Sequence, residues 1–362
     1  MTINMINRRK RVLDHLNEIG CNKGVVFQPE NIFYLTGFWG EGVVVIDNDK
    51  TILFSPQLEY NRAKNESKYC EIVRTERGDK LIDAVKKELD ARKFCSDCRE
   101  YQIVDKIRKE LVYQENMILD ENQFLKARMI KDDEEIKLIS HSAKIIDKLF
   151  QFCTHEIKIG VTERKLQAKL IFETFENNAT TTSYNMTINP FIIAGGPNGS
   201  FPHANISDRE FQTGDFIVVD LTLRYNGYIA DATRTFGLGK IEKKQERIYN
   251  IVKESQKKGL EAVKIGTEIG NIDKSCREFI SDSGYGKYFI HSTGHGIGIE
   301  VHEPPWIRKE NKELLKKNMT ITIEPGIYIE SKFGIRIEDS ILVREGKKIT
   351  NFNSFTKDLL VL

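Results

Sequence analysis

"DFIVVDLTLRYNGYIADATRTFGLG", residues 215–239, is two β-rich runs meeting at Asn226-Gly227. That dipeptide favours a two-residue hairpin turn, because both of its positions need positive φ. With Tyr225 and Tyr228 flanking the turn, Asp220 lies opposite Thr233 and Asp231 lies opposite Thr222. Side chains alternate along a strand, so the two aspartates fall on one face, diagonal to each other. Their strand neighbours are mostly apolar. On a buried face two carboxylates repel each other and are costly to desolvate, and a cation belongs between them. On a face open to water, which antiparallel sheets often have, they need none.

Three further segments bear on that choice. "MTITIEPGIYI" (319–329) reads as a strand ending at Glu324 before Pro325-Gly326, and "GIRIEDSILV" (334–343) as another strand with Arg336 and Glu338 on one face. A glutamate in an Ile-rich strand is either exposed or compensated. "HSTGHGIGIEVHEPP" (291–305) spends three of the chain's seven histidines in one Gly-punctuated stretch. Four carboxylates and one imidazole can hold two divalent cations at near charge balance. Oxygen-rich ligation with one nitrogen suits Mn²⁺, Co²⁺ or Zn²⁺.

A chain of 362 residues, 40% hydrophobic and 30% charged, is expected to fold as two globular domains. Its formal net charge of +2 gives no electrostatic case for a nucleic-acid partner. "MTINMINRRKRVLDHLNEIG" has no apolar stretch after its basic cluster, so no signal peptide is expected. No run is apolar enough to predict a transmembrane helix, and a cytoplasmic location without a membrane partner is expected. The six cysteines, at 21, 70, 95, 98, 153 and 276, do not make a disulfide framework. Cys95 and Cys98 form a C-x-x-C with no second pair to complete a zinc site. "GHGIG" (294–298) lacks the dinucleotide-loop register, and "GGPNGS" (195–200) lacks the lysine of a phosphate loop.

Along the chain, Ile6, Leu13, Leu16 and Ile19 mark a helix that stops at Gly20. "GVVVIDNDKTILFS" (42–55) predicts two strands around an Asp-Asn-Asp turn. Helices near 56–64 and 78–90 and a strand at 69–74 complete a small α/β domain. From Asp132 onward Ile136, Ile139, Ala143, Ile146 and Phe150 predict the buried face of a long helix. "KIGVTE" (158–163) and "KIGTEI" (264–269) echo each other. Each predicts a Gly helix stop followed by a Thr N-cap, as in a duplicated unit.

The ordered set Asp220, Asp231, His295, Glu324 and Glu338, within "VVDLTLRYNGYIADATRTF", "STGHGIGIEVHEPP", "TIEPGIYI" and "GIRIED", resembles the dinuclear metal site of the pita-bread metallopeptidases. That family includes Xaa-Pro dipeptidases (prolidases), Xaa-Pro aminopeptidases and methionine aminopeptidases. The resemblance spans residues 125–362 as the catalytic domain. Residues 1–124, with "NIFYLTGF" at 31–38, look like the creatinase-like N-terminal domain of the proline-specific branch. The implied fold is an α/β N-terminal domain plus an α+β C-terminal pita-bread (creatinase/aminopeptidase-like) catalytic domain, and relatives suggest a homodimer. The resemblance implies that Asp220 chelates one metal, Asp231 and Glu338 bridge two, and His295 and Glu324 complete the second. It implies attack by a metal-bridging hydroxide, with Glu324 shuttling its proton. His302 and His203 match catalytic, substrate-contacting histidines. His291 matches a site-lining one, and Tyr328 and Arg336 match positions beside metals and substrate. His15, His141 and His155 have no such context.

The bond before proline is a tertiary amide without an N–H, and its leaving amine needs a proton; imidazoles suit that demand. An Xaa-Pro dipeptidase is the expected activity, with an Xaa-Pro aminopeptidase as the alternative. A non-catalytic binding protein of the same fold, or a creatinase-type hydrolase, would not carry all five ligands. One departure stands out. Some prolidases place an arginine after the His-Glu-x-Pro stretch to hold a dipeptide's carboxylate, but "HEPPWIRK" (302–309) has Trp306 there and Arg308 two residues on.

Overall fold

The computed structural model describes residues 2–89, 93–110, 114–182, 189–345 and 349–362. The chain divides into two compact units, Met1–Arg128 and Met129–Leu362.

In the first unit α1 (Thr2–Glu18) buries Leu13 and Leu16 and ends before Gly20, whose φ is 76°. The chain continues through β1 (Lys23–Val26), α2 (Pro29–Thr36), β2 (Val43–Ile46), β3 (Thr51–Pro56), α3 (Tyr60–Glu66), β4 (Glu71–Thr75), α4 (Asp79–Lys86), β5 (Phe94–Ser96), α5 (Tyr101–Glu110), β6 (Met117–Leu119) and α6 (Asn122–Met129). Six strands form one sheet in the order β4-β3-β2-β1-β5-β6. The β2–β3 turn forms because Asp47 Oδ1 accepts the N–H groups of Asp49 and Lys50, both at 3.0 Å. Cys95 and Cys98 are buried. Burial pushes their thiols up to about 12 and about 11, and they donate to the carbonyls of Asp120 and Glu100. Among the described residues they join no metal-capable cluster.

The second unit opens on α7 (Asp133–Glu156). Asp132 and Glu135 form a capping box, and Ile136, Ile139, Ala143, Ile146 and Phe150 are buried as their spacing predicts. Gly160, with φ 83°, turns the chain, and Thr162 Oγ1 caps α8 (Glu163–Glu176). After β7 (Thr180–Thr181) and β8 (Phe191–Gly195) come the long hairpin strands β9 (Phe216–Tyr225) and β10 (Tyr228–Gly237), against which α7 packs. Both β7 and β8 pair with β9. Then follow α9 (Lys243–Ala262) and α10 (Gly270–Asp282). The echo at this junction is partial: Gly266 turns at φ 80°, but α10 starts beyond Thr267 with Ile269 at its uncapped N-terminus. Thr267 instead ties to the 313–315 segment, its carbonyl accepting from Leu315 N at 2.9 Å.

The remaining strands are β11 (Gly294–Gly296), β12 (Glu303–Ile307), β13 (Thr320–Ile323), β14 (Gly326–Ile329), β15 (Phe333–Arg336), β16 (Asp339–Val343) and β17 (Ile349–Asn351). They make a sheet of order β12-β11-β13-β16-β17 and a separate β14–β15 hairpin. A core of Val252, Ile272, Ile321, Ile323, Ile335 and Ile341, among others, joins α9 and α10 to these strands. Residues 334–343 are therefore not one strand. At Ile337–Glu338 the chain leaves β14 and takes up β13, because Glu338 N donates to Thr233 O (3.1 Å) in β10 and not to a ladder partner. Among the described residues no helix is long and apolar enough to cross a membrane.

Candidate metal centre

The β9–β10 turn closes on Asn226 and Gly227 at φ 46° and 88°, and this sets the register: Asp220 opposite Thr233, Asp231 opposite Thr222. The face they share is buried, not solvated; Asp231 is 6% exposed. The opposing threonines serve the acids. Thr222 Oγ1 donates to Asp231 Oδ1 at 3.0 Å, and Thr233 Oγ1 donates to Glu338 Oε2 at 2.7 Å. Arg336 Nε donates to Thr233 Oγ1 at 3.1 Å, while its Nη2 pairs with Asp220 Oδ2. The break before β16 thus lets Glu338 face the aspartates, and Ser340 holds β16 to β10 by bonding both N and O of Asp231.

The Gly-punctuated stretch supplies the imidazole. A Cβ on Gly294 would lie 2.1 Å from Thr322 O, and one on Gly296 would lie 2.1 Å from Pro304 O. Only glycine lets β11 lie between β12 and β13 with His295 aimed at the acids. His295 Nδ1 donates to Gly296 O at 3.0 Å, since a carbonyl can only accept. Its Nε2 is therefore a lone pair, yet it faces Glu324 Oε1 at 3.4 Å and Asp231 Oδ2 at 3.9 Å. Burial holds the ring down at about 4, so no proton sits there at neutral pH. Acceptors converge on acceptors, and a cation belongs among them.

The carboxylates show the same imbalance. Burial pushes Glu324 up to about 7, and burial with neighbouring carboxylates drives Asp231 and Glu338 well above the usual range. Asp220 Oδ1 and Glu338 Oε1 are buried with no hydrogen-bond partner. Asp231, His295 and Glu338 each offer a ligand atom within 4.8 Å of the others. Once all are ionised, four acids against one guanidinium carry three net negative charges, which bound cations would neutralise.

Residues 137–345 match the sequence pattern of metallopeptidase family M24, and residues 8–130 match the creatinase/prolidase N-terminal domain. The chain belongs to metallopeptidase family M24. It is 35% identical over 363 residues to an Xaa-Pro dipeptidase of Pyrococcus furiosus, an alignment covering 96% of this chain and 98% of that one. The solved Xaa-Pro dipeptidase from Bacillus anthracis superposes with a TM-score of 0.91 at 31% identity, covering 99% of this chain and all of that one. An X-Pro aminopeptidase from Thermotoga maritima superposes at 0.86 with 28% identity, covering 98% and 99%. M24 members are metallopeptidases, and the buried acid–histidine cluster is where this M24 chain can hold divalent metal.

The expected fold, with a creatinase-like domain ahead of an M24 catalytic domain, is the observed one. A cavity of about 250 Å³ is lined by Asp220, Asp231, His295, Glu324 and Glu338 together with His203, His291, His302 and Arg336. Tyr328 sits behind it: Arg336 Nη1 donates to the Tyr328 hydroxyl at 2.7 Å, which lies 3.0 Å from His291 Nε2. Because His291 Nδ1 donates to Ser292 O (2.7 Å), the Tyr328 hydroxyl must donate to Nε2, and both ring nitrogens of His291 are engaged. The His302 ring lies 4.3 Å from that of His295 and stacks on Trp306, with centroids 6.1 Å apart and 17° between planes. Burial lowers His302 to about 3; burial and Arg336 also lower His203. Trp306 lines the cavity. Arg308 is exposed and does not, and neither do His15, His141 or His155. Thr222, Thr233, Ser340 and Arg234 were not singled out in the sequence, although the hairpin register had already set both threonines opposite the aspartates.

Proposed function

We propose that this M24 chain hydrolyses the peptide bond before proline, as an Xaa-Pro dipeptidase with two divalent cations in its centre. One observation carries the metal reading: the His295 Nε2 lone pair faces two carboxylates across a buried gap. Asp220 would hold one cation, Asp231 and Glu338 would be shared, and His295 with Glu324 would complete the other. Bound there, Mn²⁺, Co²⁺ or Zn²⁺ supplies Lewis acidity and a nucleophilic water at neutral pH.

The chain's own groups do the rest. Glu324, the carboxylate beside His295, takes the proton from the attacking water and returns it to the leaving proline nitrogen. His302 and His203 line the same cavity in the neutral form, which nearby cations would reinforce. Each therefore offers an N–H to the oxygen of the scissile carbonyl as negative charge develops on it. Arg336 holds Asp220 and Tyr328 by charge-assisted hydrogen bonds. The cavity falls below the ~300–1,000 Å³ of pockets for drug-sized ligands, which suits a substrate of two or three residues. The identity to a named Xaa-Pro dipeptidase supports the proline specificity.

One observation favours a second reading, an Xaa-Pro aminopeptidase. Among the described residues lining the cavity the one guanidinium is Arg336, already engaged by Asp220, Tyr328, Thr233 and the carbonyl of Pro202. Among the described lining residues, no second Lys or Arg side chain awaits the carboxylate of a dipeptide. The test is hydrolysis of Ala-Pro and Ala-Pro-Ala by protein stripped of metal and reconstituted with Mn²⁺, Co²⁺ or Zn²⁺. Turnover of Ala-Pro only after reconstitution is the expected result. Full turnover after exhaustive chelation ends the metal reading, and a tenfold preference for the tripeptide moves the assignment to the aminopeptidase.

A further inference from the structure

Directly behind the acid cluster, on the opposite face of β10, lies a second buried charge cluster. Asp231 and Thr233 face the acid cluster, and Arg234 points the other way, 2% exposed. Its guanidinium uses all five N–H donors: Nη1 to Thr233 O (3.0 Å) and Glu338 O (2.7 Å), Nη2 to Asp339 Oδ1 (2.7 Å) and Phe355 O (2.8 Å), Nε to Thr356 O (2.9 Å). Asp339 is fully buried and its other oxygen accepts from Gln256, Asn351 and Lys357 at 3.1, 2.7 and 2.9 Å.

This arrangement bears on one place. Glu338 sits where the chain has left one sheet and not yet paired in the next, so no strand ladder holds it. Its N–H goes to Thr233 O, and its carbonyl goes to Arg234. The fork formed at Nη1 thus grips the two carbonyls of Thr233 and Glu338, spanning the gap between β10 and the start of β16. Asp339 anchors the guanidinium and is itself tied to α9, β17 and the 351–357 segment. We propose that Arg234 and Asp339 are positioning residues, a rear clamp that sets the separation of the Asp231 and Glu338 carboxylates and so the affinity of the centre for metal. The proposal rests on the reading of the acid cluster as a metal site.

The test uses the full-length protein, Mn²⁺ as probe, and chelator-buffered titration of the metal-free form. Arg234→Lys keeps the charge but loses the planar fork. It should fold, bind Mn²⁺ at least tenfold more weakly, the scale on which supporting partners of metal ligands act, and lose kcat while KM stays within twofold. Ile280→Ala, in the core face of α10, which supplies none of the clamp's partners, is the control for plain destabilisation: it should lower Tm and leave Mn²⁺ affinity unchanged. Should Arg234→Lys fail to fold, Lys357→Met at the part-exposed end of the network carries the test, with a threefold or greater weakening expected. Unchanged affinity in the folded clamp variant, or an equal loss in Ile280→Ala, overturns the proposal alone. A wild-type chain that binds no Mn²⁺ takes down the metal reading and this proposal together.

Discussion

The two faces of β10 bury charge within one residue of each other and resolve it in opposite ways. At the rear, burial alone would raise the pKa of Asp339, yet Arg234 and Lys357 hold it below the usual carboxylate range, and every donor of Arg234 is used. At the front, Asp231, Glu324 and Glu338 are all pushed upward, two carboxylate oxygens have no partner, and an imidazole lone pair faces the acids. The fold can satisfy buried charge here, and does so at the rear, where the charged groups meet one another, amide side chains and the backbone. A deficit kept on one face of the same strand marks where something from solution completes the structure.

The sharpest way to break that contrast is to remove acids from the front face. Asp231→Asn and Glu338→Gln should each lose bound metal and activity, by more than the ~100-fold upper range for removing a ligand's supporting partner. His295→Ala should lose metal in the same way. His302→Ala removes a group that touches the cavity without being needed for charge balance. It should keep the wild-type metal content and lose roughly 10²–10⁴-fold in kcat, the scale of acid–base or oxyanion help. Elemental analysis beside kinetics separates the classes, and equal metal content in His295→Ala and His302→Ala would refute the division.

How much of this could be read beforehand follows from how local each signal is. The hairpin register needed only Asn226-Gly227 and period-2 alternation, and all ten pairs from Tyr225–Tyr228 to Phe216–Gly237 follow it. The buried face of α7 needed only apolar spacing. The break at Glu338 was not legible: "GIRIEDSILV" has no glycine or proline between Arg336 and Asp339, and what ends the strand is a carbonyl of Thr233, 105 positions away in sequence. Arg234 escaped for the same reason, since its partners lie at 338, 339, 355 and 356. Thr267 looked like the Thr162 cap, but pairing with the 313–315 segment outweighed local helix chemistry.

A gentler perturbation is pH. For metal to bind, raised carboxyl groups must release protons, so affinity should fall as pH drops through the Glu324 value of about 7. Three of the four cavity histidines do not confuse this window: His291, His295 and His302 are held at about 3, 4 and 3 and stay neutral between pH 5 and 7. Each proton displaced costs roughly tenfold in apparent affinity per pH unit below 7. Chelator-buffered Mn²⁺ titrations at pH 5, 6 and 7 measure the slope, and a flat profile would show that the front-face acids are already ionised without metal.

The smallest expected effect concerns substrate length. Trp306 lines the cavity and stacks on His302, so a side chain at this position reaches the ring next to the acid cluster. A guanidinium there could meet a substrate carboxylate bidentately while its plane replaces the indole against the imidazole. Trp306→Arg should therefore raise kcat/KM for Ala-Pro relative to Ala-Pro-Ala by about tenfold, or ~1.4 kcal/mol in transition-state binding. Arg308→Ala should leave that ratio where it is, because Arg308 is exposed and lies outside the cavity lining. Were the ratio to collapse in Arg308→Ala instead, the carboxylate would be held by Arg308, and the stacked Trp306 would be a wall of the cavity without a part in choosing substrate length.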